Sequence, residues 1–412
     1  AAGFAHLGHR VVGLDKNPEL VGELDRGVLR VQEEGLPQLV ADGVAAGRLR
    51  FTADYDEAIP DAEFIFFAVD TPQTLGGASD LRNLRTAASS VAASLNGHGP
   101  IVVNKSTAPI VTGDMLETIL WREVRDGHQP PVIVSNPEFL QQGTAVHDFF
   151  EPDRIVVGAA DPAHAREVAE LYRGLPGEVV LTTRRTAEMI KYVANTFLAT
   201  RISFINEVAQ LCEAMGVDVD EVVAGVAQDD RIGGHFFRPG IGYGGSCLPK
   251  DTASLRFMGE ATGVPTPFLS AVQQVNDHAR TRSVRRLREA LGTLERKRIA
   301  VWGLTFKGET EDTRQSPATE VVQLLLNDGA EVVAYDPSQP DETMLPPRLG
   351  VQLVTTALDA VEGADALAIL TDWREFREVP LGEVVTRMRG DLVLDGRNML
   401  QPEDAMHVGL RY

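Results

Sequence analysis

Apolar runs that stop abruptly at polar residues recur along the first half of the chain. Phe64-Ile65-Phe66-Phe67-Ala68-Val69 ends in Asp70-Thr71-Pro72, and Ile101-Val102-Val103 in Asn104-Lys105-Ser106-Thr107. Val132-Ile133-Val134 ends in Ser135-Asn136-Pro137-Glu138, and Ile155-Val156-Val157 in Gly158. Runs of this length, separated by helix-sized spacers, predict strands of a sheet covered on both faces. Such sheets bind ligands at the carboxyl ends of their strands. Thr71, Ser106, Thr107 and Glu138 are therefore candidates by position, each otherwise an ordinary turn residue. Upstream, Ala1 to Gly8 reads as the end of a helix closed by glycine, and His9 to Leu14 as a strand leading to Asp15. An acid there in a dinucleotide-binding unit accepts from the ribose hydroxyls, which favours NAD over NADP. Taken alone, beside Asn17-Pro18, a turn aspartate is the commoner reading. The first strand and G-x-G-x-x-G turn that should precede this helix are absent from the sequence, so the chain is expected to start inside its cofactor domain.

From Thr186 to Met215 the period changes to that of a helix, with Met189, Ile190, Val193, Phe197, Leu198, Ile205, Val208, Leu211 and Met215 in register. Glu188, Lys191 and Asn195 share one face, as a cleft lining or as a solvated stripe. Cys212 on this helix reads as a buried structural thiol. Near Lys297 the unit changes again. Arg298 to Gly303 and Ala330 to Tyr335 read as strands, the second ending in Asp336-Pro337 as the first does in Asp15, and Ala364 to Thr371 echoes Ala62 to Thr71. The expected fold class is α/β, two Rossmann-like domains joined by a long central helix and a helical middle domain, with boundaries at 1–184, 185–296 and 297–412. Lys307, Arg314 and Arg397 fall at or after strand ends of the last unit, which suits an anionic ligand if they converge.

The stretch Pro239-Gly240-Ile241-Gly242-Tyr243-Gly244-Gly245-Ser246-Cys247-Leu248-Pro249-Lys250-Asp251 follows neither period. Its glycines allow positive φ and close approach of backbone to a ligand. Cys247, beside Lys250 and a helix start, is a candidate nucleophile, since the thiolate is the attacking form. The alternative is a small buried residue in a tight turn, with Asp251 capping a helix that begins at Thr252.

Composition narrows the classes. The 412 residues carry a net charge of −20, which argues against non-specific binding to nucleic acid or an anionic membrane. No apolar run is long enough for a transmembrane helix and no signal-peptide pattern opens the chain. Two cysteines in unlike settings suit a reducing compartment, the cytoplasm, and no Cys/His spacing suggests a metal. The basic stretch Arg280 to Arg298 reads as the solvated face of an interdomain helix.

Taken together, Lys105-Ser106-Thr107, Asn136-Pro137-Glu138-Phe139-Leu140, Lys191 with Asn195, Arg231-Ile232-Gly233, the loop Pro239 to Asp251, Phe306-Lys307, Asp312-Thr313-Arg314 and Asp395-Gly396-Arg397-Asn398 resemble the UDP-glucose/GDP-mannose dehydrogenase family over essentially the whole chain. The resemblance implies an NAD-dependent double oxidation of a nucleotide sugar, UDP-glucose, to its uronate. By it, Cys247 attacks the aldehyde and carries a thiohemiacetal and then a thioester; Lys191, Asn195 and Asp251 hold a water and the oxyanion; Thr107 and Glu138 orient the hydrolytic water. It maps NAD contacts onto Asp15, Thr71, Ser106, Thr107, Gln142, Lys250 and Arg314. Substrate contacts map onto Glu138, Phe139, Leu140, Lys191, Asn195, Phe236, Arg238, Gly240, Gly244, Lys307 and Arg397, with Arg231 reaching a neighbouring subunit of a homodimer. Gln142 replaces a usual Glu, and Leu20 a usual basic residue. GDP-mannose, another nucleotide sugar, or silent binding of a nucleotide sugar are the alternative readings.

Overall fold

The computed structural model describes residues 1–31, 33–97, 99–124, 129–347 and 349–412. The chain divides into two compact units, Ala1–Ala194 and Asn195–Tyr412. In the first, β1 (Val11–Leu14) and β2 (Leu49–Thr52) pair in parallel, while β3 (Phe64–Phe67), β4 (Ile101–Asn104), β5 (Val132–Ser135), β6 (Arg154–Ala159) and β7 (Glu178–Thr182) form a five-stranded sheet in that order. The four apolar runs are thus β3 to β6. The strand β6 runs antiparallel to β5, pairing Ser135 with Gly158, and β7 lies parallel to β6. Gly158 is required there because a Cβ would come within 2.4 Å of the Thr183 carbonyl. Leu84, Val91, Leu116 and Leu120 pack in one core cluster with Ile65, Phe67 and Ile133, and Val168 and Tyr172 in another with Val103 and Val157. Each such full burial stabilises the unit by about 1.5–3 kcal/mol.

In the second unit β8 (Arg298–Trp302), β9 (Glu331–Tyr335), β10 (Gln352–Leu353), β11 (Ala366–Ile369) and β12 (Leu392–Asp395) form an all-parallel sheet in the order β10-β9-β8-β11-β12. The winding reverses between β8 and β11, and the crevice at such a reversal is where open α/β sheets take ligands. The loop leaving β8 carries Phe306, Lys307 and Arg314, and Arg397 follows β12.

Three helices refine the expectations. The long helix spans Arg184–Met215, starting earlier than its apolar period because Arg184 bonds Glu117 and Asp114 at 2.9 and 2.8 Å. The helix after the cysteine loop spans Leu248–Ala261 rather than beginning at Thr252. Pro249 fits its first turn, where an N–H would have no helical partner, so Asp251 lies inside the helix, only 1% exposed, and is not its N-cap. The helix Pro267–Leu291 presents Arg285, Arg286 and Arg288 to solvent, as its charge run suggests, but turns Arg280 inward. Arg282 and Arg286 pair with Glu213, Arg288 with Asp328, and the buried Arg280 with Glu320.

Candidate active site

In the first unit the ends of β3, β4 and β5 are tied to one another. The Ser106 hydroxyl accepts from Val69 N at 2.9 Å and lies 2.8 Å from Val69 O, and the Thr71 hydroxyl donates to the Thr107 carbonyl at 2.6 Å. These side chains fasten the loop that carries Thr107. Glu138 follows β5, and its carboxylate is held at both oxygens, by Lys191 Nζ at 2.8 Å and by the backbone N–H of Leu140 at 2.7 Å. Phe139 packs under the Arg154 guanidinium at 4.0 Å, with Lys191 Nζ at 5.4 Å from its ring. Lys191 is almost wholly buried, so its pairing with Glu138 offsets a desolvation cost that a lone ammonium would carry in full. A cavity of about 10 Å³ with Asn104, Ser106, Thr107, Glu188 and Lys191 in its wall has room for about one water.

Glu188 does not share the role of its face-mates. Its carboxylate accepts from Val111 N and Gly113 N at 2.9 and 2.8 Å and from the Ser135 hydroxyl at 3.1 Å, capping the helix Thr112–Glu123. Burial pushes its pKa up, against the lowering effect of those hydrogen bonds. Lys105, the first residue of Lys105-Ser106-Thr107, has a side chain that reaches the next strand end. Its ammonium lies 3.1 Å from both Asn136 Oδ1 and the Tyr172 hydroxyl, and desolvation lowers its pKa to about 8.

In the second unit Cys247 is exposed and occupies the N-cap position of the helix Leu248–Ala261. One turn in, the buried Asp251 accepts from Asn195 Nδ2 at 2.6 Å with one oxygen and pairs with Lys250 Nζ at 2.5 Å through the other. The reading of Cys247 as a buried turn residue does not hold, whereas Cys212 on the long helix is buried as expected.

The glycines before Cys247 also allow close approach of other parts of the chain. At Gly244 a Cβ would lie 2.3 Å from Gln315 O, at Gly245 2.9 Å from the Phe306 ring, and at Gly240 3.0 Å from Gly396 O. They let the loop run flat against the loops of the β8–β12 sheet. Gly242 and Gly245 also take positive φ, +106° and +81°. Side chains complete the clamp. Asn276 bonds both Tyr243 N and Tyr243 O, Arg280 donates to Tyr243 O, and Asn206 accepts from Gly240 N. Sequence gave no signal for Asn276 or Asn206, since their partners are backbone atoms far along the chain.

The basic residues partly converge. Arg397 donates to Leu370 O at 2.8 Å and Phe306 O at 3.1 Å, and it and Arg238 both lower the pKa of Asp372, whose burial acts in the opposite direction. Lys307 adjoins Phe306. Arg314 is exposed and bonded to Asp312, and Arg231 is turned to solvent with Asp229. Phe236 takes φ +61°, uncommon for a side chain of its bulk. Asp15 follows β1 and accepts from Asn17 N at 2.8 Å, the turn geometry, with its other carboxylate oxygen outside that turn. Gln142 lies in the loop before the helix Ala145–Phe150. An acid at the end of β1 and hydroxyl-rich ends of β3 and β4 suit the ribose and nicotinamide portions of a dinucleotide.

Sequence profiles of the UDP-glucose/GDP-mannose dehydrogenase family match in all three parts: the NAD binding domain over residues 1–176, the central domain over 185–278 and the UDP binding domain over 300–402. UDP-glucose 6-dehydrogenase TuaD of Bacillus subtilis is 39% identical over 409 residues, covering 99% of this chain and 88% of that protein. UDP-glucose 6-dehydrogenase of Rhizobium meliloti is 42% identical over 419 residues, covering 99% and 94%. The structure of a UDP-glucose dehydrogenase from the archaeon Pyrobaculum islandicum superposes with a TM-score of 0.92 at 36% identity, covering 98% and 92%. With matched domains along nearly its whole length and this level of identity, the chain belongs to the UDP-glucose/GDP-mannose dehydrogenase family.

Proposed function

We propose that this chain is an NAD-dependent UDP-glucose 6-dehydrogenase that oxidises the primary alcohol of the sugar twice and releases UDP-glucuronate. The observation that carries the chemistry is the exposed Cys247 at a helix N-terminus, one turn from the hydrogen-bonded set Asn195, Asp251 and Lys250. A helix N-terminus favours the thiolate. When bound, NAD supplies the hydride acceptor for each of the two oxidations. Asp15, Thr71, Ser106, Thr107, Gln142, Lys250 and Arg314 are the residues we assign to its binding, Ser106 through the loop that it fastens.

The first oxidation leaves an aldehyde at C6, with the hydroxyl proton passed to the Asn195–Asp251 set. The Cys247 thiolate then forms a C–S bond to that carbon, giving a thiohemiacetal whose oxyanion is stabilised by Lys191 and Asn195. Its oxidation yields a thioester. Water held by Thr107 and Glu138 adds to the carbonyl, losing one proton to a base, for which Glu138 is suited; the C–S bond breaks to regenerate the thiolate, and the uronic acid gives up a second proton to leave as the uronate. Lys307, Arg397, Arg238, Phe236, Gly240 and Gly244 are assigned to the nucleotide sugar, and Phe139 and Leu140 to its glucose end. Arg231, solvent-facing in one chain, is assigned to the site of a second copy. The apolar residues Phe197, Phe204, Leu211 and Met215 recur at seven- and four-residue steps on the long helix and are exposed, which supports a homodimer through that face. The divisions 1–184, 185–296 and 297–412 then serve cofactor, catalysis and dimerisation, and UDP-sugar binding. Paired with reduced cysteines, this chemistry suits the cytoplasm.

The test is the yield of NADH at limiting sugar and excess NAD. About two NADH per UDP-glucose, and none from GDP-mannose, is expected. One NADH per sugar would mean that oxidation stops at the aldehyde, and none would sink the reading.

A further inference from the structure

Lys105 belongs to none of the groups assigned above, yet it joins two of the segments that carry them. It leaves β4 just before Ser106-Thr107, and its backbone N–H is bonded to Phe67 O at 2.9 Å. Its ammonium reaches across to the end of β5, 3.1 Å from Asn136 Oδ1 and 3.5 Å from Asn136 O, two residues before Glu138. The Tyr172 hydroxyl lies 3.1 Å from the same ammonium and itself donates to Asn136 Oδ1, and Asn136 Nδ2 donates to Val156 O at 2.8 Å. Asn136 is nearly fully buried, and so is Tyr172. A cation at the hub of such a network costs desolvation, seen in the lowering of its pKa, and is offset by three polar contacts and by the nearby Glu138 carboxylate. A neutral, apolar side chain would leave Asn136 Oδ1 with the Tyr172 hydroxyl alone and take the ammonium from the Asn136 carbonyl. The turn Asn136-Pro137-Glu138 would then have no link to the Thr107 loop through this point.

We infer that Lys105 is a positioning residue for thioester hydrolysis, locking Glu138 in register with Thr107 so that the two hold one water. The inference rests on the hydrolytic half of the proposed reaction. That half requires no hydride transfer, so the effect of Lys105 falls after both NADH have formed.

The test is rapid-mixing kinetics on the full-length protein and its Lys105→Met, Lys105→Arg and Tyr172→Phe variants. In Lys105→Met the steady-state rate should fall about 10²-fold, the size of effect expected when a reacting group is misplaced by about an ångström. KM for UDP-glucose should stay within a few-fold. The first two NADH per site should still form as a burst, and acid-quenched protein should carry the uronyl thioester on Cys247 by intact mass. Lys105→Arg, which keeps the charge, should recover part of the steady-state rate. Tyr172→Phe, which keeps the ring packing, should show the same burst with a smaller steady-state loss, and so serves if Lys105→Met does not fold. A burst slowed in proportion to the steady state, with no covalent adduct, would overturn the inference while leaving the reaction in place. Absence of NADH from the unsubstituted protein would overturn both.

Discussion

A serine at position 247 would keep the size of the side chain but not its chemistry, because a hydroxyl is a far weaker acid and nucleophile than a thiol. Cys247→Ser is expected to fold normally, since the side chain is exposed and buries little. Release of uronate should fall by about 10³-fold or more, as when a covalent nucleophile is removed from an intact site. Uronate assay beside a thermal melt checks both; undiminished turnover would exclude the thioester route. The residues around it were unequally legible. Cys247, Lys250 and Asp251 stand out as a thiol, an ammonium and a carboxylate in a glycine-rich run. That Asp251 is buried and shared between Lys250 and Asn195 could not be read from their spacing, because it depends on where the helix begins.

Among the elements, Glu188 shows how one helix can fasten another. Its carboxylate takes two of the backbone N–H groups at the start of the helix Thr112–Glu123, groups that no helical carbonyl can satisfy. Burial raises its pKa in the folded state, so its contribution to stability is full below its unfolded pKa, near 4.3, and is lost as pH rises through the folded value. Glu188→Gln keeps the shape, removes the titration and satisfies fewer donors, costing about 1–2 kcal/mol in acid. The gap between parent and variant should narrow from pH 4 to pH 7 in chemical denaturation. A widening gap would show that the hydrogen bonds outweigh desolvation. The cysteine loop offers a second test. Gly244→Ala places a methyl 2.3 Å from the Gln315 carbonyl and 2.4 Å from Pro317 Cδ, neither able to swing away as a flexible side-chain end could. A loss of about 1–3 kcal/mol in stability is expected for overpacking of this kind, with KM for UDP-glucose raised by at least about tenfold. An unchanged KM would mean that the loop can lift from the β8–β12 sheet without cost.

For the whole molecule, the proposed homodimer rests on one exposed apolar face of the long helix. Phe204 is 57% exposed and Leu211 equally so, one heptad apart. Phe204→Asp puts a charge into that seam and should convert dimers to monomers at micromolar concentration in sedimentation velocity, because an uncompensated charge buried at an interface costs several kcal/mol. A dimer that persists in the variant would place the interface elsewhere. With a net charge of −20 the chain should not bind duplex DNA even at low salt.

The sequence by itself determined the alternation of strands and helices, the two Rossmann-like halves and the residues able to do the chemistry. Apolar runs and helical periods are local patterns, and a thiol, a lysine and an aspartate carry their reactivity with them. Only the tertiary structure decided which of these groups meet. Gly244 was legible as a glycine but not as the place where the loop passes Gln315; Glu188 was legible as polar but not as the cap of a helix that begins at Thr112. Lys105 carried no signal of its own, since its ammonium acts on Asn136 and Tyr172, 31 and 67 residues away. Hydrogen bonds and steric limits of this kind act through space between segments that the chain order does not juxtapose, so no period or spacing in the sequence records them.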